Sequence, residues 1–254
     1  MRLLAWMDGA VFEASELRIG IPYVMQRIHT LGGVCYDLEQ HINLLRRSSE
    51  ELFGFASVCG VGDAQRIIVR LLELSRVADS LSVPVAMRLD ADARLSFEVE
   101  HPTFGSGRYL RAKREVGMPY EMTEPRLLSQ TRSSIELDME SDYAVRRWGG
   151  ERAIWVSREG LLLSRPWMPI FVYYKQCWFT PKRYDTVEYS VVAKAMEQAG
   201  CKLLVRDIPE SALEQVDEIF VADIMGISSF AKVKNHRLLT SVANRIAQRL
   251  EPIK

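Results

Sequence analysis

Along the first hundred residues the apolar positions switch between two spacings. "LLAWM" and "AVFE" are short apolar runs on either side of Asp8-Gly9, which predicts a hairpin turned at that pair. "YVMQRIHTL" and "VCYDL" flank Gly32-Gly33 and predict two further extended pieces. The spacing then becomes helical. Asp37 and Gln40 open a helix whose apolar stripe is Leu38, Ile42, Leu45 and Leu52, and Gly54 is placed to end it. A second helix over 64–77 carries Ile67, Ile68, Leu71, Leu72 and Leu74. "VPVAMRLDADARLSFEVE" predicts strand, turn and strand, with Asp90 to Asp92 at the tip.

From His101 to Pro119 the periodicity fades into glycine, proline and cations, the pattern of a boundary or of a strand leading out of one. Ser133 and Glu136 stand at capping-box spacing and predict a helix over 134–148, stopped by Gly149-Gly150. Hairpin-like strands follow, turned at Arg158 to Gly160 and at Lys175-Gln176. Asp185 and Glu188 are expected to cap a third helix, with Val191, Val192, Ala195 and Met196 facing inward and Gly200 closing it. "CKLLVRDI", "EIFVAD" and "FAKVK" read as strands, and "TSVANRIAQRL" reads as a terminal helix. The expected fold class is α+β (α/β) with two domains: 1–104, a linker over 105–119, and 120–254.

Composition narrows the function classes. With 254 residues and 48% hydrophobic side chains, the chain can bury one large core or two smaller ones. Lys plus Arg and Asp plus Glu are 33 each, so no bulk field directs it to nucleic acid or to an anionic membrane. No apolar run reaches the roughly 18 residues of a membrane span, and Asp8 interrupts the start too early for a secretion signal. The four cysteines have no CxxC spacing, which suits reduced thiols and a cytoplasmic location. No pair of the four histidines has metal-ligand spacing, and His41 reads as structural. Gly105 to Gly107 lacks the strand-to-helix context of a phosphate cradle. The helix start at Asp185 to Glu188 offers amides to a phosphate, but its own carboxylates repel one. Arg46-Arg47 and Arg146-Arg147 read as solvated helix faces.

Segment order says more. "WMDGAVFEASELRI", the "HI…LL…S" pattern from His41, "GGERAIWVSREGLLLSRPWMPIFVYYKQCWFTP" and "VDEIFVADIMGISSFAKV" succeed one another as in class IV aminotransferases. The chain resembles that family of fold type IV pyridoxal-phosphate enzymes, which includes branched-chain and D-amino-acid aminotransferases and aminodeoxychorismate lyase. The resemblance runs over nearly the whole chain. It implies a two-domain fold, pyridoxal phosphate as cofactor and a homodimer.

The departures from the family pattern fall on its chemistry. The resemblance puts the Schiff-base lysine at Thr131 or Arg132, and neither side chain forms an imine under these conditions. The phosphate-binding arginine falls on Leu44, the pyridinium-binding glutamate on Ser164 and the asparagine after it on Pro169. A further triplet becomes Val24-Met25-Gln26, and the late segment has Ile224 and Phe230 where a hydroxyl residue and a proline are expected. Two readings stay open. In one the scaffold has lost pyridoxal-phosphate chemistry and binds a small anionic metabolite, with Arg27, Arg88 and Arg132 as candidate cations. In the other an active aminotransferase or lyase uses a displaced lysine, with Lys113 the nearest upstream candidate though far before the expected spacing, while Lys175 and Lys182 flank a turn and a proline, which favours exposure.

Overall fold

A computed structural model describes residues 2–56, 58–102, 113–224 and 226–250, without the side chains of 113 and 114. The Gly105–Gly107 stretch and the first part of the expected linker lie outside these residues. In chain order the strands and α-helices are β1 (Leu4–Met7), β2 (Ala10–Glu13), β3 (Tyr23–Leu31), β4 (Val34–Cys35), α1 (Leu38–Phe53), α2 (Val61–Leu74), β5 (Ser82–Asp90), β6 (Leu95–Val99), β7 (Lys113–Glu121), β8 (Gln130–Thr131), α3 (Arg132–Arg146) and β9 (Arg152–Val156). Then come β10 (Ile170–Tyr174), β11 (Cys177–Thr180), α4 (Val187–Gln198), β12 (Leu203–Val205), β13 (Glu218–Asp223), β14 (Gly226–Val233), β15 (His236–Arg237) and α5 (Ser241–Leu250). The fold is α+β. Two compact units emerge, one of Met1–Arg108 with Leu127–Arg132, the other of Tyr109–Arg126 with Ser133–Lys254.

The first unit is a sheet in the order β2-β1-β6-β5-β3-β4, with β8 also paired to β3. Strand alternation sorts its faces. Val24 and Ile28 of β3, Val83, Val85, Met87 and Leu89 of β5, and Phe97 and Val99 of β6 join Leu38, Ile42, Leu45, Ile68 and Leu71 of the two helices in one core. Each such side chain, fully buried, contributes on the order of 1.5–3 kcal/mol. The inward stripe of α1 does not run on to Leu52, which is 41% exposed; Ser48 and Ser49 occupy the buried positions of the last turns instead. Leu74 is likewise 36% exposed. Gly54 ends α1 in the left-handed region, φ 78°, its N–H donating to the Glu50 carbonyl, as the sequence predicts. Asp37 is left-handed as well, φ 50°, and makes no side-chain cap.

The second unit is a sheet in the order β12-β11-β10-β13-β14-β7-β9, with β15 on β14. Its central strands are apolar on both sides because both sides are covered. Ile170, Val172, Ile219, Val221, Phe230 and Val233 form one core with Ile208, Leu213 and Val216. On the opposite side Phe171 stacks on Phe220 at 5.0 Å, Trp178 meets Phe220 edge-on at 5.0 Å, and Tyr189 of α4 lies 5.8 Å from Phe171. Gly117 lets β7 approach this packing: a Cβ there would sit 2.6 Å from Phe230 and 2.7 Å from Ile154. The helix starts differ from the sequence expectation. α3 begins at Arg132, so Ser133 lies inside its first turn. The N-cap of α4 is Thr186, and its hydroxyl donates to the Pro166 carbonyl at 2.9 Å. α5 is capped from another element: the buried Glu218 carboxylate accepts from the Ser241 hydroxyl at 2.9 Å and from the Val242 and Ala243 amides.

Candidate functional site

In the first unit, pairing brings the chemistry-bearing residues onto the side of the sheet away from the helices. Met25 faces Arg88 and Arg27 faces Ala86 across β3 and β5. Ala86 faces Glu98, and Met25 also faces Gln130 of β8. Arg27, Arg88, Glu98 and Gln130 therefore share one face. Both arginines are engaged. The Arg27 Nε donates to both Glu100 carboxylate oxygens at 2.9 Å, and its terminal nitrogen donates to Gln130 Oε1 at 3.0 Å. Arg88 donates to Glu98 at 2.5 Å. Half-buried, charge-assisted pairs of this kind are stronger and better fixed than a surface ion pair.

Thr131 lies opposite Val24, in the register that turns toward the core, and Arg132 is exposed at the first position of α3. The segment leading into β8 is tied down by a buried polar chain. The Ser129 amide donates to Ser48 Oγ at 3.1 Å, and its hydroxyl donates to the Leu44 carbonyl at 3.2 Å. Gln26 Nε2 donates to Ser129 Oγ at 2.8 Å, and His41 Nδ1 lies 2.9 Å from Gln26 Oε1. Burial, reinforced by the charge of His29, pushes the His41 imidazole down to about 3. His41 is thus a neutral strut at ordinary pH, the structural role its sequence context suggests. Leu44 is 2% exposed and packs as an apolar residue. His41, Leu44 and Ser48 lie on one face of α1 and are buried there, a second stripe beside the apolar one that sequence reasoning missed.

The second unit holds a cavity of about 520 Å³ lined by Met122, Glu124, Arg158, Leu163, Ser164 and Lys182, among others. Lys182 Nζ donates to Glu124 Oε1 at 2.5 Å and lies 5.4 Å from the Tyr184 ring centroid. The Tyr184 hydroxyl donates to the Ser164 carbonyl at 2.7 Å, and burial followed by the Glu124 charge pushes it well above its ordinary value. Ser164 is 2% exposed, and its Oγ accepts from the Ile170 amide at 3.2 Å. Glu188 is buried in the first turn of α4. Pro169 is buried in the turn before β10. Lys175 sits on the β10–β11 turn with its ammonium 5.0 Å from the Tyr174 ring centroid. Lys113 opens β7, and its side chain is outside the described residues.

One ionic cluster had no sequence signal. Arg165 is 3% exposed, donates to Asp138 Oδ1 at 2.6 Å and lies 4.7 Å from the Trp155 ring centroid, while Trp167 Nε1 donates to Asp138 Oδ2 at 2.7 Å. Among the described residues no group of three or more His, Cys, Asp or Glu is arranged to hold a metal, and no helix is long and apolar enough to cross a membrane.

No family model and no curated protein matches the sequence. Solved structures match in fold. A Brucella abortus aminotransferase, bound to pyridoxal phosphate in its own crystal, aligns with a TM-score of 0.80 at 15% identity, covering 98% of both chains. The branched-chain amino acid aminotransferase of Escherichia coli gives 0.79 at 12% identity, over 98% of this chain and 93% of its own. A fold IV transaminase of Curtobacterium pusillum gives 0.79 at 13%, over 98% and 97%. The chain has the fold of the fold-type-IV aminotransferases.

Proposed function

We propose that this chain is a class IV aminotransferase-like or aminodeoxychorismate lyase-like protein that has given up the pyridoxal-phosphate Schiff base. Pyridoxal phosphate supplies an electron sink to enzymes of this fold, and the protein must supply an amine, a cation for the phosphate and a partner for the pyridinium. The residues here do not fit that group. At the positions the resemblance gives these groups stand Thr131 or Arg132, the buried Leu44 of α1, and Ser164, whose hydroxyl accepts from the Ile170 amide. A buried carboxylate, Glu188, in the first turn of α4 disfavours a phosphate there. The reading is carried by the place the resemblance gives the lysine: Thr131 ends β8 facing the core side and Arg132 opens α3, and neither side chain forms an imine.

Arg27 and Arg88 support the same reading from the other side. Each already has a glutamate partner, so an incoming anion would compete with Glu100 or Glu98. We assign both to holding the sheet face together. A homodimer is the assembly the resemblance implies, and the unpaired cysteine spacing suits a cytoplasmic location.

A second reading has one observation in its favour. Lys182 lines the same cavity as Ser164, and it is the amine through which a displaced Schiff base would form. Its use requires breaking the ion pair with Glu124. The discriminating experiment is a visible spectrum after incubation with excess pyridoxal phosphate and desalting. The proposal expects no retained chromophore. A retained aldimine band that disappears in Lys182→Ala would establish the displaced-lysine enzyme instead.

A further inference from the structure

A second cavity of the second unit, about 190 Å³, lies away from the Ser164 cluster on the other side of Asp207. Val172 of β10, Phe179 of β11, and Ile208, Ala212 and Val216 of the segment leading into β13 form its walls. The walls are mostly aliphatic and belong to the edge of the core of this unit. Its rim is not apolar. The Arg206 guanidinium lies 5.5 Å from the Phe179 ring centroid, and the Lys175 ammonium lies over Tyr174, which also lines the cavity. Among the described residues no carboxylate lies within ion-pair distance of either cation, in contrast to Arg27, Arg88, Arg165 and Lys182. The Arg206 backbone is anchored, its N–H donating to the Thr180 carbonyl at 3.1 Å, so the guanidinium springs from a fixed point.

An aliphatic slot closed by an uncommitted cation is complementary to a hydrocarbon chain ending in a single negative charge. We infer that this cavity binds a medium-chain alkyl monocarboxylate, its tail among Val172, Ile208 and Val216 and its carboxylate on Arg206. Aliphatic walls favour an alkyl tail, and the small volume sets its length. Asp207 also lines the cavity. Its charge opposes the carboxylate, so the head group must lie on the Arg206 side. This inference is independent of whether the protein uses pyridoxal phosphate.

The test is isothermal titration of the full chain with butyrate, hexanoate and octanoate, with octan-1-ol as the uncharged control. Each methylene taken into the cavity is worth roughly 0.8 kcal/mol, so affinity should rise about fourfold per carbon until the slot is full. Arg206→Gln should weaken octanoate at least about tenfold and leave octanol unchanged. Asp207→Asn should tighten octanoate, and Ala212→Leu, which fills the slot with a wall residue, should abolish binding of both. Methyl shifts of Ile208 and Val216 on titration would place the ligand. Octanoate affinity equal to that of butyrate, or unaffected by Arg206→Gln, would overturn the inference, as would undetectable binding by a folded wild-type chain.

Discussion

His41 gives a quantitative test of the buried polar chain that holds β8 to α1. Its imidazole is held near 3 in the folded chain, first by burial and then by the charge of His29, against 6.5 for the free side chain. The unfolded chain therefore takes up a proton that the folded chain refuses. The sign follows: this contribution to stability is intact above about pH 6.5 and is lost as the pH falls from there toward about 3. At about pH 4.5 the unfolded imidazole is roughly two units below its midpoint, so the loss is about 2.7 kcal/mol at ~1.36 kcal/mol per unit. Carboxylates titrate in the same window, so the effect must be read as a difference between wild type and His41→Leu. The leucine variant also loses the contact with Gln26, an offset of about 1–3 kcal/mol that does not vary with pH. Urea unfolding followed by circular dichroism, at about pH 7 and about pH 4.5, should show wild type losing roughly 2.5 kcal/mol more than the variant, with equal m-values. Equal losses in the two proteins would refute the reasoning, because His41 would then titrate as an exposed histidine.

Three substitutions probe the second unit by the same urea assay, and a fourth in the first unit serves as the exposed comparison. Glu218→Ala removes the carboxylate that accepts from Ser241, Val242 and Ala243, and should cost about 2 kcal/mol with loss of helical signal from α5. Asp138→Ala leaves the buried Arg165 guanidinium without its counter-ion and should cost about 3–5 kcal/mol, whereas an exposed pair such as Asp63–Arg66 should yield under about 1 kcal/mol on Asp63→Ala. Gly117→Ala forces a methyl against Phe230 and Ile154 and should cost about 1–3 kcal/mol; an unchanged midpoint would mean that β7 shifts freely.

What the sequence discloses depends on how local the cause is. Asp8-Gly9 and Lys175-Gln176 announce their hairpins because a positive φ at those residues is a property of the turn itself, 52° and 84° in the first and 47° and 65° in the second. The end of α1 at Gly54 is legible for the same reason. Leu52 misleads because periodicity cannot tell a leucine facing water from one facing the core, and the buried places of those turns went to Ser48 and Ser49. The caps fail where the partner is distant: Glu218 precedes α5 by 23 residues, so no spacing rule reaches it. In the candidate sites, Thr131, Leu44 and Ser164 are visible only through the family resemblance. The partners of Arg27 and Arg88 are set by strand register: 73 residues separate Arg27 from Glu100, and ten residues across a hairpin separate Arg88 from Glu98.

If the proposed function is right, no amine of this chain serves as the Schiff-base donor of a pyridoxal-phosphate enzyme. The most direct measurement is borohydride reduction of the full chain after incubation with one equivalent of pyridoxal phosphate, followed by intact mass and peptide mapping. The expected mass spectrum is dominated by the unmodified chain, with any adduct scattered over several exposed lysines. A single stoichiometric phosphopyridoxyl adduct on one lysine, Lys182 above all, would contradict it.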